Sequence, residues 1–431
     1  MVPKGWQIGS LSDLTDTVMG FAFKSTDFTP NGIPLLRMGN LYQNTLDFER
    51  NPVFLPASYQ YEYKRFVVKP GDLVMSMTGT MGKRDYGFTV EIPKNSPESL
   101  LNQRVMKFIP KDKTSAGYLL NLLRSEIILS RLYSFPGGTK QANLSAKQVQ
   151  DLPVPIPPYP EQKKIAQILS TWDKTITTTE QLIKNSQQQK KALMQQLLTG
   201  KKRLGLNNGS YDFQRSRYGL IPKDWEYLAI KDICTQVTEK NTESSDYPVL
   251  SCSKYDGFVD SLKYFKKKVY SDNTSGYRLI HRDCFGFPSN HIEEGSIGLQ
   301  NLYDTGIVSP IYVVFRANAK KVDNAYLYAV LKTDHYRQIF GAATNASVDR
   351  RGSLRWKEFS LIHVPLPPLE EQQKIAAVLS IADQEITTLQ QKLEALKLEK
   401  KALMQQLLTG KRRVKIDNKE VVQWQKVRIN T

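Results

Sequence analysis

The stretch KKALMQQLLTGK occupies residues 190–201 and recurs letter for letter at residues 400–411. Outward from it, residues 157–204 align without a gap onto 367–414, with 27 identities in 48 positions. Internal similarity on this scale is the signature of a duplicated structural unit. The chain of 431 residues is therefore predicted to contain two copies of one architecture.

Each copy predicts one long helix. A proline-rich segment precedes it, and successive prolines cannot continue a helix. Neither Gly nor Pro occurs in residues 161–199 or 370–409, and Gly200 and Gly410 stand where a C-terminal cap is expected. At 1.5 Å per residue, about 38 residues make a rod of roughly 57 Å.

Mainly apolar residues follow alternating steps of four and three through both helices, with one polar interruption in the second helix and more in the first; this is the spacing of a coiled-coil seam. Two such stripes in one chain most simply bury each other, so we predict an antiparallel intramolecular coiled coil; pairing between two chains is the alternative. The seam residues are Ile165, Leu169, Trp172, Ile176, Thr179, Ile183, Ser186, Lys190, Leu193 and Leu197 in the first helix, and Ile375, Leu379, Ala382, Ile386, Leu389, Leu393, Leu396, Lys400, Leu403 and Leu407 in the second.

The segments that precede the helices are related more faintly, since Pro3-Lys4-Gly5-Trp6 matches Pro222-Lys223-Asp224-Trp225. We predict an α+β fold for each of these segments, mixed but mainly β, with a helix from Gly117 to Tyr133 in the first and from Asp323 to Phe340 in the second. The strand-like runs are residues 72–77, 104–109 and 311–315.

This repeat divides the chain into five segments. They are residues 1–152, a globular domain; 153–204, a helical region; 205–362, a second globular domain; 363–414, a second helical region; and 415–431, a tail. Residues 424–429 echo the start of a domain, so the tail is predicted to pack near the N-terminal domain; a frayed basic terminus is the alternative.

Composition limits the classes of protein. No apolar run reaches the ~18 residues of a membrane span, the start lacks the apolar core of a signal peptide, and three cysteines cannot form a disulfide framework, so we expect a cytoplasmic protein. The formal net charge of +18 favours a polyanionic partner, although a merely soluble basic surface has the same charge. It divides as +5 for residues 1–152, +6 for 153–210, +3 for 211–362 and +4 for 363–431, so neither globular domain is strongly basic.

The motifs match a known family. Each helix opens on Pro-Leu/Ile-Pro-Pro-x-x-Glu-Gln-x-Lys-Ile and closes on Leu-Leu-Thr-Gly-Lys, and the chain thereby resembles the DNA-specificity subunit of type I restriction-modification systems. In the first domain, residues 71–73, 77–83, 102–105 and 138–145 look like that family's target recognition domains. The second domain departs from the pattern, because Pro288-Ser289-Asn290-His291 replaces the Gly-Thr-Met-Gly turn.

The resemblance implies a mechanism. Two target recognition domains related by a pseudo-twofold axis would each read one half of a bipartite, asymmetric double-stranded DNA site, and the helical pair would fix their separation. The chain would catalyse nothing and hold no cofactor. Two copies of a modification subunit on the helical regions would bring S-adenosylmethionine, and a restriction subunit would bring ATP and Mg. The assembled complex would be an adenine-specific DNA methyltransferase and an ATP-dependent endonuclease.

Two other classes compete with this interpretation. One is a coiled-coil scaffold whose globular domains bind protein, and the other is a complete methyltransferase or nuclease. The second is disfavoured because the chain lacks a phosphate-binding loop and because Asn51-Pro52-Val53-Phe54 lacks the second proline of an amino-methyltransferase motif. A zinc site at His281, Cys284 and His291 lacks an evident fourth ligand, so structural roles are preferred.

DNA contacts require side chains that reach groove edges or phosphates. The alternative for each candidate is a solvated cation or an ordinary turn residue. The candidates in the first domain are Thr80, Lys83, Arg84, Arg104, Lys140, Gln141 and Asn143. Those in the second domain are Asn290, His291, Asn345, Arg350, Arg351, Lys266 and Lys267.

Overall fold

Two units make up the chain in a computed structural model, which describes residues 2–135, 141–204, 212–217, 219–242, 246–344 and 353–416. Unit 1 comprises residues 1–181 and 391–431, and unit 2 comprises residues 182–390. Both long helices are divided between the units. Each unit therefore contains one globular domain, the beginning of one long helix and the end of the other.

The elements of the first half follow in chain order. The strands are β1 Gln7–Ser10, β2 Thr15–Met19, β3 Ile33–Leu36, β4 Phe54–Leu55, β5 Val67–Val68, β6 Leu73–Ser76, β7 Thr78–Thr80, β8 Thr89–Glu91, β9 Ser99–Leu101, β10 Val105–Pro110, β11 Gln141–Asn143 and β12 Pro153–Ile156. The helices are α1 Tyr59–Glu62, α2 Ala116–Leu123, α3 Glu126–Leu132, α4 Ala146–Gln150 and α5 Tyr159–Leu197.

The second half continues the numbering. The strands are β13 Phe213–Ser216, β14 Gly219–Pro222, β15 Glu226–Ala229, β16 Cys234–Val237, β17 Leu250–Ser253, β18 Gly257–Asp260, β19 Arg278–His281, β20 Cys284–Pro288, β21 Gly298–Leu299, β22 Thr305–Val308, β23 Tyr312–Ala317 and β24 His363–Leu366. The helices are α6 Ile230–Ile233, α7 Ser261–Phe265, α8 Asn324–Leu331, α9 Asp334–Ala343, α10 Trp356–Phe359 and α11 Leu369–Leu408.

The two globular domains share one sheet topology. Four antiparallel strands lie in the order β2-β10-β6-β8 in unit 1 and β16-β23-β20-β21 in unit 2. The central strands β6 and β20 are buried at every position, because one face lies against helices and the other against a second sheet. The three strand-like runs are confirmed as β6, β10 and β23.

The second sheet is also common to both domains. In unit 1 its order is β4-β3-β9-β5, and β3 runs parallel to β9. In unit 2, β17 pairs with β18 and β19 pairs with β22, while a parallel bridge between Val249 and Ile307 joins the two pairs. The mixed, mainly β fold is confirmed, and the shared topology shows that the faint sequence match of the domains reflects a duplicated fold.

The prediction of a single helix from Gly117 to Tyr133 and from Asp323 to Phe340 is wrong in one respect. Each is two helices, α2 and α3 in unit 1 and α8 and α9 in unit 2. Ser125 and Thr333 have extended backbone conformations at the break, and the Thr333 side chain accepts a hydrogen bond from the Tyr336 amide as an N-cap. Residues of this type compete with the helical backbone for hydrogen bonds and so start new helices.

The long helices confirm the prediction closely. Helix α5 has 39 residues and α11 has 40, and Gly200 and Gly410 follow them with φ angles of +69° and +73°. Every predicted seam residue is buried or half-buried. In unit 1, Ile165 and Leu169 pack with Leu407, and in unit 2 Ile375 packs with Leu197. Each buried Leu or Ile stabilises the pair by about 1.5–3 kcal/mol.

Polar residues fix the register of the antiparallel pair. Lys400 bonds Asp173 in unit 1, and Lys190 bonds Asp383 in unit 2. Both pairs join a seam lysine to an aspartate of the facing helix, and their residue numbers sum to the same value, as a single antiparallel register requires. Buried polar groups at seam positions specify register because any slip would leave them without a partner. The coiled coil is therefore intramolecular.

An arginine–glutamate pair ties the end of each long helix to a domain. In unit 2, Arg203 donates to both carboxylate oxygens of Glu371 at 2.7 Å and to both of Asp224 at 2.8 Å. Arg203 lies over the Trp225 ring at 5.3 Å. These four residues are called the unit 2 bridge.

Unit 1 repeats this arrangement with residues from opposite ends of the chain. Arg413 bonds both oxygens of Glu161, donates to the carbonyl of Lys4 at 3.0 Å and lies 5.8 Å from the Trp6 ring. The Trp6 indole donates to Glu161 at 3.0 Å. Gly5 occupies the position of Asp224, so this unit 1 bridge lacks the second carboxylate.

The Gln of the Glu-Gln motif joins each long helix to the loop before α2 or α8. Gln162 accepts from the Ser115 amide at 3.0 Å and donates to the Pro157 carbonyl, while Gln372 accepts from the Asp323 amide at 2.9 Å and donates to Pro367. A buried amide with all these bonds made fixes the direction in which the helix leaves the domain.

Candidate nucleic-acid interface

Two stretches that the sequence nominates separately lie side by side in unit 1. Strand β7 pairs with β11, so that Thr80 faces Gln141 and Thr78 faces Asn143. The amide of Leu144 donates to the carbonyl of Met77 at 3.0 Å. The glycine turn after β6 and the segment after the Gly-Gly loop therefore form one surface at the end of the central strand.

Glycine within β7 and an aspartate after it allow the chain to turn closely at this point. A Cβ at Gly79 would lie 2.3 Å from an oxygen of Asp85, so no larger residue fits. Asp85 accepts from the Thr80 amide at 2.8 Å. Burial raises the pKa of Asp85, but hydrogen bonds from Thr80 and from the Asp85 amide, together with the charge of Lys83, outweigh it and hold the pKa below its ordinary value. The ionised carboxylate thus holds the turn in one conformation.

Most candidate side chains of the first domain are available to a ligand. Thr80, Lys83, Arg104 and Asn143 are exposed, and Arg104 lies beside the turn because its carbonyl accepts from the Met77 amide at 2.9 Å. Arg84 is different. Its guanidinium bonds Glu126 at 3.0 Å and lies 5.1 Å from the Tyr133 ring, so a phosphate would have to compete with that carboxylate.

The remaining candidates of this domain are only partly described. Gln141 has its backbone in β11, but its side chain lies outside the description, and Lys140 lies outside the described residues altogether.

In unit 2, the turn after β20 occupies the position that the turn after β6 has in unit 1, but its residues differ. Strand β20 ends at Pro288, and the Ser289 carbonyl accepts from the Leu354 amide at 2.7 Å, as Met77 accepts from Leu144 in unit 1. Asn290 is half-buried, and the exposed His291 bonds Glu294 at 3.1 Å. Candidates Asn345, Arg350 and Arg351 lie outside the described residues.

Lys266 and Lys267 belong to another element. They follow α7 and are exposed, and Lys266 has a φ of +53°. Sequence reasoning missed the exposed aromatic residues around them, Tyr255, Tyr264 and Phe265, although aromatic residues interleaved with lysines between residues 254 and 270 were a usable signal.

The three residues considered for zinc have other partners. The two ring nitrogens of His281 bond Glu239 at 2.9 Å and Thr305 at 3.0 Å, while Cys284 is fully buried in an apolar cluster. Burial raises the pKa of the other two thiols, Cys234 and Cys252, to about 12. Among the described residues, His291, Glu293 and Glu294 form a cluster of possible metal ligands at the surface.

Among the described residues, no helix combines the length and the apolar character that crossing a membrane requires.

Comparisons with known proteins agree with this duplicated arrangement. Over 96% of its length the chain is 24% identical to a protein of Methanocaldococcus jannaschii named as a putative type I restriction enzyme MjaX specificity subunit, 95% of which is covered. It is 27% identical to the type I restriction enzyme EcoBI specificity subunit of Escherichia coli, over 86% of this chain and 77% of that one.

A solved structure has the same fold. The S subunit of a type I restriction-modification system from M. genitalium superimposes with a TM-score of 0.56 at 14% identity, over 94% of this chain and 96% of that one. Residues 3–186 and 222–398 match the family described as type I restriction modification DNA specificity domain. With most of both globular domains and of both long helices inside that match, this chain belongs to the type I restriction modification DNA specificity family.

Proposed function

We propose that each globular domain of this chain reads one half of a bipartite, asymmetric DNA site. The observation that carries the proposal is the equivalent place at the end of β6 and β20. Both domains present a turn there beside a returning segment, but the side chains differ: Thr80 and Lys83 in one domain, Asn290 and His291 in the other. Two domains of the same fold that present different side chains to the base edges would recognise different DNA sequences.

A domain exchange tests this proposal. Residues 1–152 are replaced by the corresponding domain of a relative, and the methylated sites of a host carrying the complete system are mapped by single-molecule sequencing. One half-site should change while the other stays the same. A change in both half-sites, or in neither, would overturn the assignment of one half-site to each domain.

The long helices are proposed to set the separation between the half-sites. The support is their rigidity, since the seam has one register and its lysines have partners on the facing helix. Insertion of four residues after Gln188, together with four after Glu385 on the facing helix, lengthens both helices at the same level. Each insertion adds about 6 Å, so the spacer should grow by about two base pairs.

The matched control is the insertion after Gln188 alone. It breaks the seam register instead of lengthening the pair, and should lower stability. An unchanged spacer in the paired variant, with both half-sites still methylated, would refute the proposed role of the helices.

The chain itself is proposed to be non-catalytic. It would act with two modification subunits on the helical regions, which supply S-adenosylmethionine, and with a restriction subunit that supplies ATP and Mg chemistry. The support is membership of the specificity family. The purified chain should transfer no methyl group to DNA, and adenine methylation should appear once the modification subunit is added. Methylation by the chain alone would contradict the proposal.

Residues 415–431 are proposed to pack near the N-terminal domain. The unit 1 bridge supports this proposal, because Arg413, just before the tail, contacts Lys4 and Trp6 at the start of the N-terminal domain. Truncation after Ile416 should lower the melting temperature of unit 1 and leave unit 2 unchanged, as measured by calorimetry. Equal melting of the truncated and full chains would support a frayed terminus instead.

A further inference from the structure

A second candidate surface in unit 2 combines exposed aromatic residues with lysines. It is formed by the tip of the β17–β18 hairpin and by α7 with the residues that follow it. We call it the aromatic–lysine patch, and its members are Lys254, Tyr255, Leu262, Tyr264, Phe265, Lys266 and Lys267. It lies on the second sheet of the domain, whereas the turn after β20 belongs to the main sheet.

The helix and the hairpin that carry the patch are held together. The Tyr264 hydroxyl donates to Asp256 at 3.0 Å and so ties α7 to the hairpin tip. The Asp260 side chain accepts from the amides of Leu262 and Lys263 as the N-cap of α7. Tyr264 and Phe265 contact each other edge to face at 5.1 Å.

Its aromatic and apolar groups face solvent to an unusual degree. Tyr255 is 82% exposed, Leu262 54%, Tyr264 48% and Phe265 41%. Clustered apolar exposure on a soluble protein marks a surface that binds something.

Charge identifies the partner. Residues 254–269 hold five lysines and two aspartates, a surplus of three, which equals the whole net charge of residues 205–362. Lys263 and Lys268 are paired with Asp260 and Asp272. In the described part of the chain, Lys254, Lys266 and Lys267 have no carboxylate within ion-pair distance. The free cations of the patch therefore suit phosphates.

The first domain has a counterpart at the same place in its fold. Between β4 and β5, as between β18 and β19, lies a short helix with an exposed aromatic residue and cations after it. Tyr61 is 80% exposed, and Lys64 and Arg65 follow it with exposed side chains.

We propose that the aromatic–lysine patch is a second DNA contact of this domain, separate from the turn that reads bases. Lys254, Lys266 and Lys267 bind backbone phosphates, and the exposed side chains of Tyr255, Leu262 and Phe265 press on the base edges of the minor groove. The contact contributes affinity that does not depend on sequence. This inference rests on the proposed function, because it requires that the domain bind duplex DNA.

The test measures binding of the assembled specificity–modification complex to two duplexes of equal length, one with the methylated site and one scrambled, across a salt series. K266A/K267A should weaken binding to both duplexes several-fold and lower the slope of log affinity against log salt by about two. Y255A/F265A should weaken binding to both without changing the slope. The matched control, K231A/K320A, removes two exposed lysines elsewhere on the domain and should have neither effect.

Distinct results separate the two proposals. A slope for K266A/K267A equal to that of K231A/K320A, in a complex that still binds its site, overturns the patch proposal alone. Weaker assembly of K266A/K267A with the modification subunit, with unchanged DNA affinity of the fraction that assembles, also overturns it, because the patch would then be a protein interface. Absence of salt-dependent DNA binding by the unaltered complex would overturn the proposed function itself.

Discussion

Replacement of Arg203 by methionine should destabilise unit 2 more than any surface change. The Arg203 side chain is 1% exposed and Glu371 is 7% exposed, and the guanidinium gives the carboxylate two hydrogen bonds. R203M keeps an unbranched side chain of similar volume but leaves the Glu371 carboxylate buried without its cation. Removal of one partner from a buried ion pair costs about 3–5 kcal/mol.

Calorimetry of the full chain measures this loss of unfolding free energy as a shift in melting temperature. For a unit of this size, 1 kcal/mol corresponds to about 2–4 °C in melting temperature, so R203M should lower the unit 2 transition by roughly 6–20 °C. Asp224 is 56% exposed and returns to water, so its lost bonds add little.

The double variant R203M/E371M distinguishes loss of the Arg203–Glu371 ion pair from the cost of an unpaired buried Glu371 carboxylate. It replaces both ionic side chains by apolar ones of similar volume, which is often close to neutral at buried sites. The double variant should therefore be more stable than R203M alone. A loss of less than about 1 kcal/mol in the free energy of unfolding of unit 2 in R203M would contradict this explanation. A double variant R203M/E371M less stable than R203M would also contradict it, because the unpaired buried charge would then not be the main cost.

The matched variant in unit 1 is R413M. Arg413 is 42% exposed and the Trp6 indole still donates to Glu161, so the loss should be smaller than in unit 2. Equal losses in the two units would show that exposure of the arginine does not decide the cost.

Four further predictions concern glycine, cysteine, lysine and aspartate. G410A should cost about 1 kcal/mol or more, because φ is +73° and the new Cβ would lie 2.4 Å from the Pro3 ring; G39A, which meets nothing within 4 Å, is the denaturation control. Since burial raises the pKa of Cys234 and Cys252 to about 12, both thiols should react with Ellman's reagent at pH 8 only after unfolding, and rapid reaction in the native protein would contradict this. K190L/K400L should raise the melting temperature but admit dimers detectable by light scattering, since the register-specifying pairs are gone; a strictly monomeric variant would be evidence against that role. Hydrogen bonds from Arg203 hold the pKa of Asp224 below its ordinary value, so its contribution to stability is present above about pH 4 and is lost as the pH falls through the lower folded pKa; D224N should weaken the acid dependence of unit 2 unfolding, and an unchanged dependence would speak against the coupling.

The helical part of this protein could be predicted almost completely from the amino-acid sequence. The signals are local: prolines before each helix, a heptad spacing within it and a glycine after it. They predict the ends of α5 and α11 to within two residues. The residues of both bridges also belong to the repeat, because Glu161 recurs as Glu371 and Arg203 as Arg413 at one constant offset, but only the structure shows that they pair. Local patterns suffice there because a helix forms its hydrogen bonds with its own neighbours.

The globular domains could not be predicted to the same extent. The pairing of Thr80 with Gln141 joins strands 61 positions apart, and no local pattern states that β7 and β11 meet. The break at Ser125 and Thr333 was missed because the apolar pattern continues across it while the backbone does not. Candidate DNA-binding residues could be chosen by type, but whether they share a surface depends on long-range strand pairing. That pairing becomes favourable only when whole sheets pack against the helices, so the surface that would meet DNA belongs to the tertiary structure.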